Sequence, residues 1–412
     1  MSGELTVALD VGSATTALAV GGPGGRPLAT VVEPTPDPAD LPVFLSKLLA
    51  TGRERAPGAL GDIAVTMPAR WLDGTAEGVR AHERLRRVLL AELGWGQVTW
   101  LDQVDCIAAA ASHDGRAAPS VQGPLLVCDL GARTIAAARC AAGPGTVRAD
   151  AVAVADRHRV AGRAFAEAVA AATPVPAFDA LFAEARTRQA RRAAAVLSRA
   201  WTHPRYREAP VYRLGDAEIT AGTLVGAFTD TAEALTDVVR RVLDGTPAGV
   251  ALAGGFGMFP LAGRVLADTF GLPDPSRLGP AAAVRGALLI AAGAVTAAPP
   301  ARPAVTLPLH RLRRGLLEVR EVPLDPGADI ARHEGRPVRV EIPDRGTAPF
   351  HVRVDGRDVA LPPPDVPPGE YLLGLRPSHA GPGALVLYPA GGAGEPRPCP
   401  IPPAPVTDGA AR

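Results

Sequence analysis

The chain has 412 residues, 47% of them hydrophobic, which is enough for two or three domains with a sizeable core and argues against disorder as the default state. Lys+Arg 43 against Asp+Glu 42 leaves a net charge of +1, so no chain-wide field exists to recruit nucleic acid or an anionic membrane. Lys47 is the one lysine, which removes lysine from most catalytic schemes, and the four cysteines show no CxxC spacing, which excludes a zinc ribbon or a disulfide framework.

In chain order, strands are predicted at 4–10, 15–21 and 27–33, an amphipathic helix over 41–55, a strand at 63–67 and a helix from Glu77 to Leu93. A second series follows, with strands near 124–129, 133–141 and 146–154, a helix around 161–172 and a strand at 249–253 with helices on either side of Pro273. Both series read β, β, β, α, β, α. The second carries an insertion over about 173–247, with an Arg/Ala-rich helix at 186–199, a strand at PVYRL and a long helix over 221–242. GALLIAAGAVTAA, from Gly286, is too short to cross a bilayer and reads as a buried helix. After residue 298 Pro and Gly rise and short alternating runs predict a small β domain, then a disordered Pro/Gly/Ala tail over 399–412. No basic stretch followed by an apolar one opens the sequence, and a cytoplasmic, membrane-free protein is expected.

One turn occurs twice. TVALDVGSATTALAV and LLVCDLGARTIAAAR carry Asp, Gly and Thr at the same offsets, each between the first two strands of its series. Glycine lets such a turn close without a Cβ clash, and its N–H groups can converge on an anion. The preceding aspartate can hold a magnesium ion that neutralises phosphates. Two such hairpins facing each other would grip a nucleotide. A third element, GVALAGGFGMFPLAGRVLADTF, puts Gly254 and Gly255 between a buried strand and a helix, where a ligand can lie against backbone. Pro260 stands where a dinucleotide fingerprint needs its third glycine.

These segments, in this order over residues 4–297, resemble the actin-like ATPase superfamily, and most closely its DnaK-type, seventy-kilodalton heat-shock chaperones. The resemblance implies a duplicated α/β fold: a nucleotide-binding domain over 1–298, with lobes of about 1–112 and 113–298, then the β-rich domain at 299–398. It implies ATP or ADP with Mg²⁺ as cofactors, Asp10 and Asp129 at the metal, and Gln103 where the family presents a water-orienting glutamate. It implies phosphate contacts from Gly12, Ser13, Ala14 and Thr15 and from Gly131, Ala132, Arg133 and Thr134. Gly162, Arg191, Ser198, Gly254, Gly255 and Phe256 are the remaining nucleotide-contact candidates. A protein client or partner, reached through the C-terminal β domain, is the other implication.

The departures bear on activity. A neutral amide at Gln103 positions water but takes no proton from it. Ala132 and Arg133 replace two glycines of the family's second turn, and its phosphate-contacting lysine has no counterpart, since Lys47 falls on the helical pattern at 41–55. Arg191 and Ala194 replace a glutamate and a lysine of the adenine-contacting helix. Three readings follow: a slow ATP-driven switch of chaperone type, a non-catalytic scaffold that binds a partner, and a small-molecule kinase with Asp105 as base.

Overall fold

The computed structural model of the chain describes residues 5–72, 75–113, 123–155, 160–298, 303–325, 330–343, 349–379, 382–391 and 394–402. By its internal packing the chain divides into two units: Met1–Thr66 with Trp95–Pro299, and Met67–Gly94 with Pro300–Arg412.

The first unit contains both repeats. The first is built from β1 (Leu5–Val11), β2 (Thr15–Gly21), β3 (Pro27–Pro34), α1 (Leu41–Arg55), β4 (Leu60–Met67), β5 (Val98–Asp102) and α3 (Gln103–His113); α2 (Ala76–Arg87) lies between β4 and β5 in sequence. Its sheet runs β3-β2-β1-β4-β5, with β1, β2 and β3 antiparallel and β4 parallel to β1. The second repeat has β6 (Gly123–Leu130), β7 (Ile135–Gly143), β8 (Thr146–Val154) and α4 (Gly162–Ala172). An insertion follows, of α5 (Phe178–Arg188), α6 (Ala190–Thr202), β9 (Pro210–Leu214), β10 (Ala217–Thr220) and α7 (Ala221–Val242). The repeat closes with β11 (Gly249–Ala253), α8 (Pro260–Phe270), β12 (Ser276–Gly279), α9 (Ala282–Ala291) and the short β13 (Thr296–Ala297). Its sheet, β12-β11-β6-β7-β8-β13, reproduces the order of the first repeat and adds β13 at the β8 edge. The fold is a duplicated α/β arrangement, two sheets of matching strand order, as the twin motifs predict.

Burial explains the sequence pattern. Val7, Ala8 and Leu9 of β1 and Leu126, Val127 and Cys128 of β6 are covered on both faces, so these strands read as continuous apolar runs rather than as alternation. Ala8, Ala17, Ala19 and Ala64 keep the first sheet's surface low where Val284, Ala287 and Leu288 of α9 pack on it. α9 also meets α3 backbone to backbone at Gly286, where a Cβ would lie 1.7 Å from the Cys106 carbonyl oxygen. The insertion shares the core of the second repeat through a ring cluster in which Phe228 of α7 stands 5.1 Å from Phe259 and Phe182 of α5 stands 6.4 Å from Phe165.

Two predicted helices differ from the structure. The Arg/Ala-rich helix expected at 186–199 is two helices broken at Gln189, whose φ of −108° and ψ of 14° leave the helical well. The helix from Glu77 keeps regular α geometry only to Arg87, after which Val88–Glu92 widens into a π-turn.

The second unit holds two four-stranded sheets. Its strands are β14 (Val305–Arg313), β15 (Leu316–Pro323), β16 (Arg332–His333), β17 (Arg336–Pro337), β18 (Arg339–Ile342), β19 (Phe350–Val354), β20 (Arg357–Leu361), β21 (Gly369–Arg376), β22 (Ala384–Pro389) and β23 (Arg397–Pro400). The sheets run β15-β14-β19-β20 and β18-β21-β22-β23. A division at residue 298 misses one segment: residues 67–94 group with this unit. Val79 of α2 packs on Ala384 and Val386, and Arg376 donates Nε to Glu83 at 2.5 Å with both side chains buried. Of the tail expected to be disordered, Cys399 and Pro400 belong to β23 and Ile401 is buried; residues 403–412 lie outside the described residues.

Candidate functional site

The two Asp-Gly turns are superposable in register. Asp10 faces Ala17 and Val11 faces Thr16 across the first; Asp129 faces Ala136 and Leu130 faces Ile135 across the second. Each is closed by the same bond, Gly12 N–H to the Thr15 carbonyl at 3.1 Å and Gly131 N–H to the Thr134 carbonyl at 2.9 Å. The first turn is the tighter: a Cβ on Gly12 would stand 2.6 Å from the Thr15 oxygen, whereas on Gly131 the nearest atom is 3.4 Å away. Ser13, Ala14 and Thr15 are exposed, as is Arg133, while Ala132 and Thr134 are half-buried. Thr35 fixes the first turn from below, its hydroxyl donating to the Gly12 carbonyl at 2.8 Å and meeting the Thr16 hydroxyl at 2.9 Å.

Asp10 sits at the end of β1, 7% exposed. Its Oδ1 accepts both the Thr66 hydroxyl and, at 3.1 Å, the Gln103 Nε2. β4 supplies Thr66 and the first turn of α3 supplies Gln103, so three elements converge on one carboxylate oxygen. Thr66 is absent from the sequence-based set, although a fully buried hydroxyl in the apolar run IAVTM marks it. Burial pushes the Asp10 carboxyl up to about 6, against the Thr66 and Gln103 bonds, which lower it. Burial, and then the charge of Asp10, pushes Asp129 up to about 7.

The second turn is held on two sides. Gly162 and Arg163, at the start of α4, donate their N–H groups to the carbonyls of Gly131 and Ala132 at 3.1 and 2.8 Å. Phe256 N–H donates to the Leu130 carbonyl at 3.0 Å. Gly254, at φ 78°, passes so close that a Cβ would lie 2.3 Å from the Leu130 oxygen and 2.7 Å from Asp129 Oδ1. A Cβ on Gly162 would touch Phe256 at 3.0 Å, whereas Gly255 has open space around it. The structure therefore brings Asp10 and Gln103 together, and Gly131, Ala132, Gly162, Gly254 and Phe256 together. Phe256 needs one correction: its ring is in the aromatic core, 3% exposed, so it offers the site main chain only. Arg191 is exposed and Ser198 half-buried on α6, and Lys47 is exposed on α1.

Asp105 is not placed as a kinase base. It is 4% exposed and accepts the Ala149 N–H at 2.7 Å, a bond that ties α3 to β8. Asp102 accepts the Val104 N–H at 3.1 Å at the start of the same helix.

The residues present suit a magnesium ion. Mg²⁺ is usually held by one or two carboxylates completed by water and phosphate oxygens. Asp10 and Asp129 would supply two carboxylates, close enough for the charge of Asp10 to act on Asp129. Burial disfavours both charged forms, so a cation here would lower the cost of ionising them.

No family model matches the chain, and no curated protein does. Among solved structures it is similar to the ethanolamine utilization protein EutJ of Carboxydothermus hydrogenoformans, with 17% identity, 70% of this chain and 90% of that one covered and a TM-score of 0.46. It is similar to the activator of 2-hydroxyisocaproyl-CoA dehydratase from Clostridium difficile with bound ADPNP, at 15% identity, covering 70% and 94%, with a TM-score of 0.44. MreB5 of Spiroplasma citri bound to ADP gives 13% identity, 70% and 97% coverage and a TM-score of 0.44. The fold assignment stands on the repeated strand order and the paired turns.

Proposed function

We propose that the first unit binds ATP or ADP with Mg²⁺ between its two Asp-Gly turns and acts as a conformational switch of DnaK-like type with slow ATP hydrolysis. The observation that carries this reading is the duplication of the turn down to its register and closing hydrogen bond, with Asp10 close enough to Asp129 for its charge to help keep the Asp129 carboxyl protonated to higher pH.

In this reading the exposed main chain of Ser13–Thr15 and of the Gly131–Thr134 turn takes the phosphates, and Gly254 and Gly255 leave room for the nucleoside against backbone. Asp10 and Asp129 would hold the metal, which when bound neutralises phosphate charge. Thr66 and Gln103 fix which oxygen of Asp10 points inward. Gln103 orients water but accepts no proton from it, and Lys47 lies exposed on α1, so turnover is slow. The buried free thiols of Cys106, Cys128 and Cys140 suit a reducing, cytoplasmic setting, and among the described residues no helix is long and apolar enough to cross a membrane. The second unit, with its own core and two sheets, is the part assigned to a protein client or partner.

Titration calorimetry with Mg-ATP tests the binding. Wild type binds, and Asp10→Ala with Asp129→Ala does not; equal heats from both proteins overturn the reading. One observation favours a second reading, a nucleotide-binding scaffold without turnover: the residue at the water-orienting place is an amide already engaged with Asp10. Phosphate release above background, lost in Asp10→Asn, excludes it.

A further inference from the structure

In the second unit, β14 and β15 form a hairpin closed by Arg314 and Gly315, both at positive φ (51° and 78°), the geometry of a two-residue type I′ turn. Among the described residues β14 pairs with β19 only at Val305 and Thr306, and β15 is the edge of its sheet. On that edge Leu316, Leu317 and Val319 are 71%, 66% and 56% exposed, a run of large apolar side chains beside a row of open main-chain groups. An edge of this kind is a template for another strand unless something blunts it.

The register states which groups are open. Pairs alternate along an antiparallel ladder between those that exchange hydrogen bonds and those that do not. Pro308, which has no N–H, faces Glu321, so that pair is of the second kind, and so are His310 with Val319 and Leu312 with Leu317. Leu317, Val319 and Glu321 therefore direct their N–H and C=O groups away from β14.

We propose that this edge is a dimer interface, in which β15 pairs antiparallel with β15 of a second copy of the chain about a two-fold axis at Val319. Charge chooses this register. An axis at Glu318 or at Arg320 would also match open groups to open groups, but it would set Glu318 against Glu318, or Arg320 against Arg320. With the axis at Val319, Glu318 of each copy faces Arg320 of the other, twice. The open groups of Leu317 meet those of Glu321, Val319 meets Val319, and Leu316 faces Val322. The contact is isologous, so it closes on two copies and does not propagate. One paired strand per copy is a small interface, so the dimer is a concentration-dependent one.

Sedimentation of the full chain without nucleotide, over about a hundredfold range of concentration, tests this. Wild type should move from monomer to dimer and stop there; a monomer throughout, or growth beyond dimer, overturns the proposal. Val319→Pro removes an N–H that points away from β14, so it should abolish the dimer while leaving the circular dichroism melt unchanged. Glu318→Arg should weaken the dimer about tenfold or more, and adding Arg320→Glu, with Glu334→Gln because Arg320 also donates to Glu334 of its own chain at 2.9 Å, should restore it. A dimer indifferent to Val319→Pro, or a combined exchange that fails to restore it, places the interface elsewhere. Val319→Cys should form a disulfide dimer on mild oxidation, since the paired Cα atoms would stand about 5.5 Å apart; no such crosslink from a dimeric sample rejects the register.

Discussion

Gln103 donates its Nε2 to Oδ1 of Asp10 at 3.1 Å, the same oxygen that accepts the Thr66 hydroxyl. The amide is thus a structural partner of the aspartate as well as a candidate to orient water. Gln103→Glu replaces that donor with a second carboxylate. At pH 8 the nucleotide-free variant should lose about 1–3 kcal/mol, and less at pH 5, where a proton can sit between the two oxygens. If the missing proton acceptor limits turnover, phosphate release should rise about tenfold or more. Melts at the two pH values and a steady-state phosphate assay check both; an unchanged rate places the limit elsewhere in the site.

The paired aspartates set a pH dependence of stability. Both have an ordinary value of 3.8, raised in the fold to about 6 for Asp10 and about 7 for Asp129, chiefly by burial. Between about pH 4 and 7 the folded chain therefore holds protons that the unfolded chain has released, and stability must fall as pH rises through that window and level off above it. The loss is on the order of several kcal/mol for the pair. Asp129→Asn should flatten the upper part of the curve and raise the melting temperature at pH 8, while removing nucleotide binding. Because metal needs both carboxylates ionised, Mg-ATP binding at pH 6.5 should release protons, seen as a calorimetric heat that varies with the buffer.

Strand order and the twin turns were legible because they are local. Asp10, Gly12 and Thr15 lie within one hairpin, and so do Asp129, Gly131 and Thr134, so spacing alone defines them. Thr66 and Thr35 escaped because their roles depend on strand neighbours far away in sequence: Thr66 meets Asp10 only once β4 lies beside β1. Phe256 was misread because its backbone and its ring part company, the N–H serving Leu130 and the ring entering the aromatic core. The association of residues 67–94 with the C-terminal sheets was illegible for a similar reason. Glu83 looks like one more helical surface carboxylate until Arg376, 293 positions later, buries it.

That pair gives a prediction within the second unit. Arg376 donates to Glu83 and to the Tyr388 hydroxyl, each at 2.5 Å, and both members of the ion pair are at most 5% exposed. Arg376→Ala leaves the Glu83 carboxylate buried without that donor and should cost about 3–5 kcal/mol, whereas Arg376→Met with Glu83→Leu should come close to neutral. Denaturant unfolding of the single and double variants gives the comparison. A single variant as stable as wild type means that the pair does not hold α2 in place.

The crossing of α3 and α9 separates two kinds of glycine. A methyl at Gly286 would overlap the Cys106 carbonyl, so Gly286→Ala should force the helices apart and cost about 2 kcal/mol or more. Gly226 lies inside α7 with nothing within 4 Å of its would-be Cβ, and Gly226→Ala should stabilise the protein by about 0.5–1 kcal/mol. Equal shifts in unfolding midpoint from the two substitutions would mean that α3 and α9 do not meet in this way.

Gly254 and Gly255 are adjacent, yet they should fail differently. Gly254 combines φ 78° with an approach to Asp129 Oδ1 that leaves no room for a methyl. Gly254→Ala should cost about 1–3 kcal/mol of folding free energy by strain and contact, and should weaken Mg-ATP about tenfold or more by displacing Asp129. Gly255 has ordinary backbone angles and open space, so Gly255→Ala should fold as well as wild type. If a nucleoside lies against this loop, its affinity should still fall, because the methyl projects into the space the ligand needs. Melting curves read the first difference and calorimetry the second. Gly255→Ala with wild-type affinity would move the nucleoside off this loop and leave the two phosphate turns as the whole of the site.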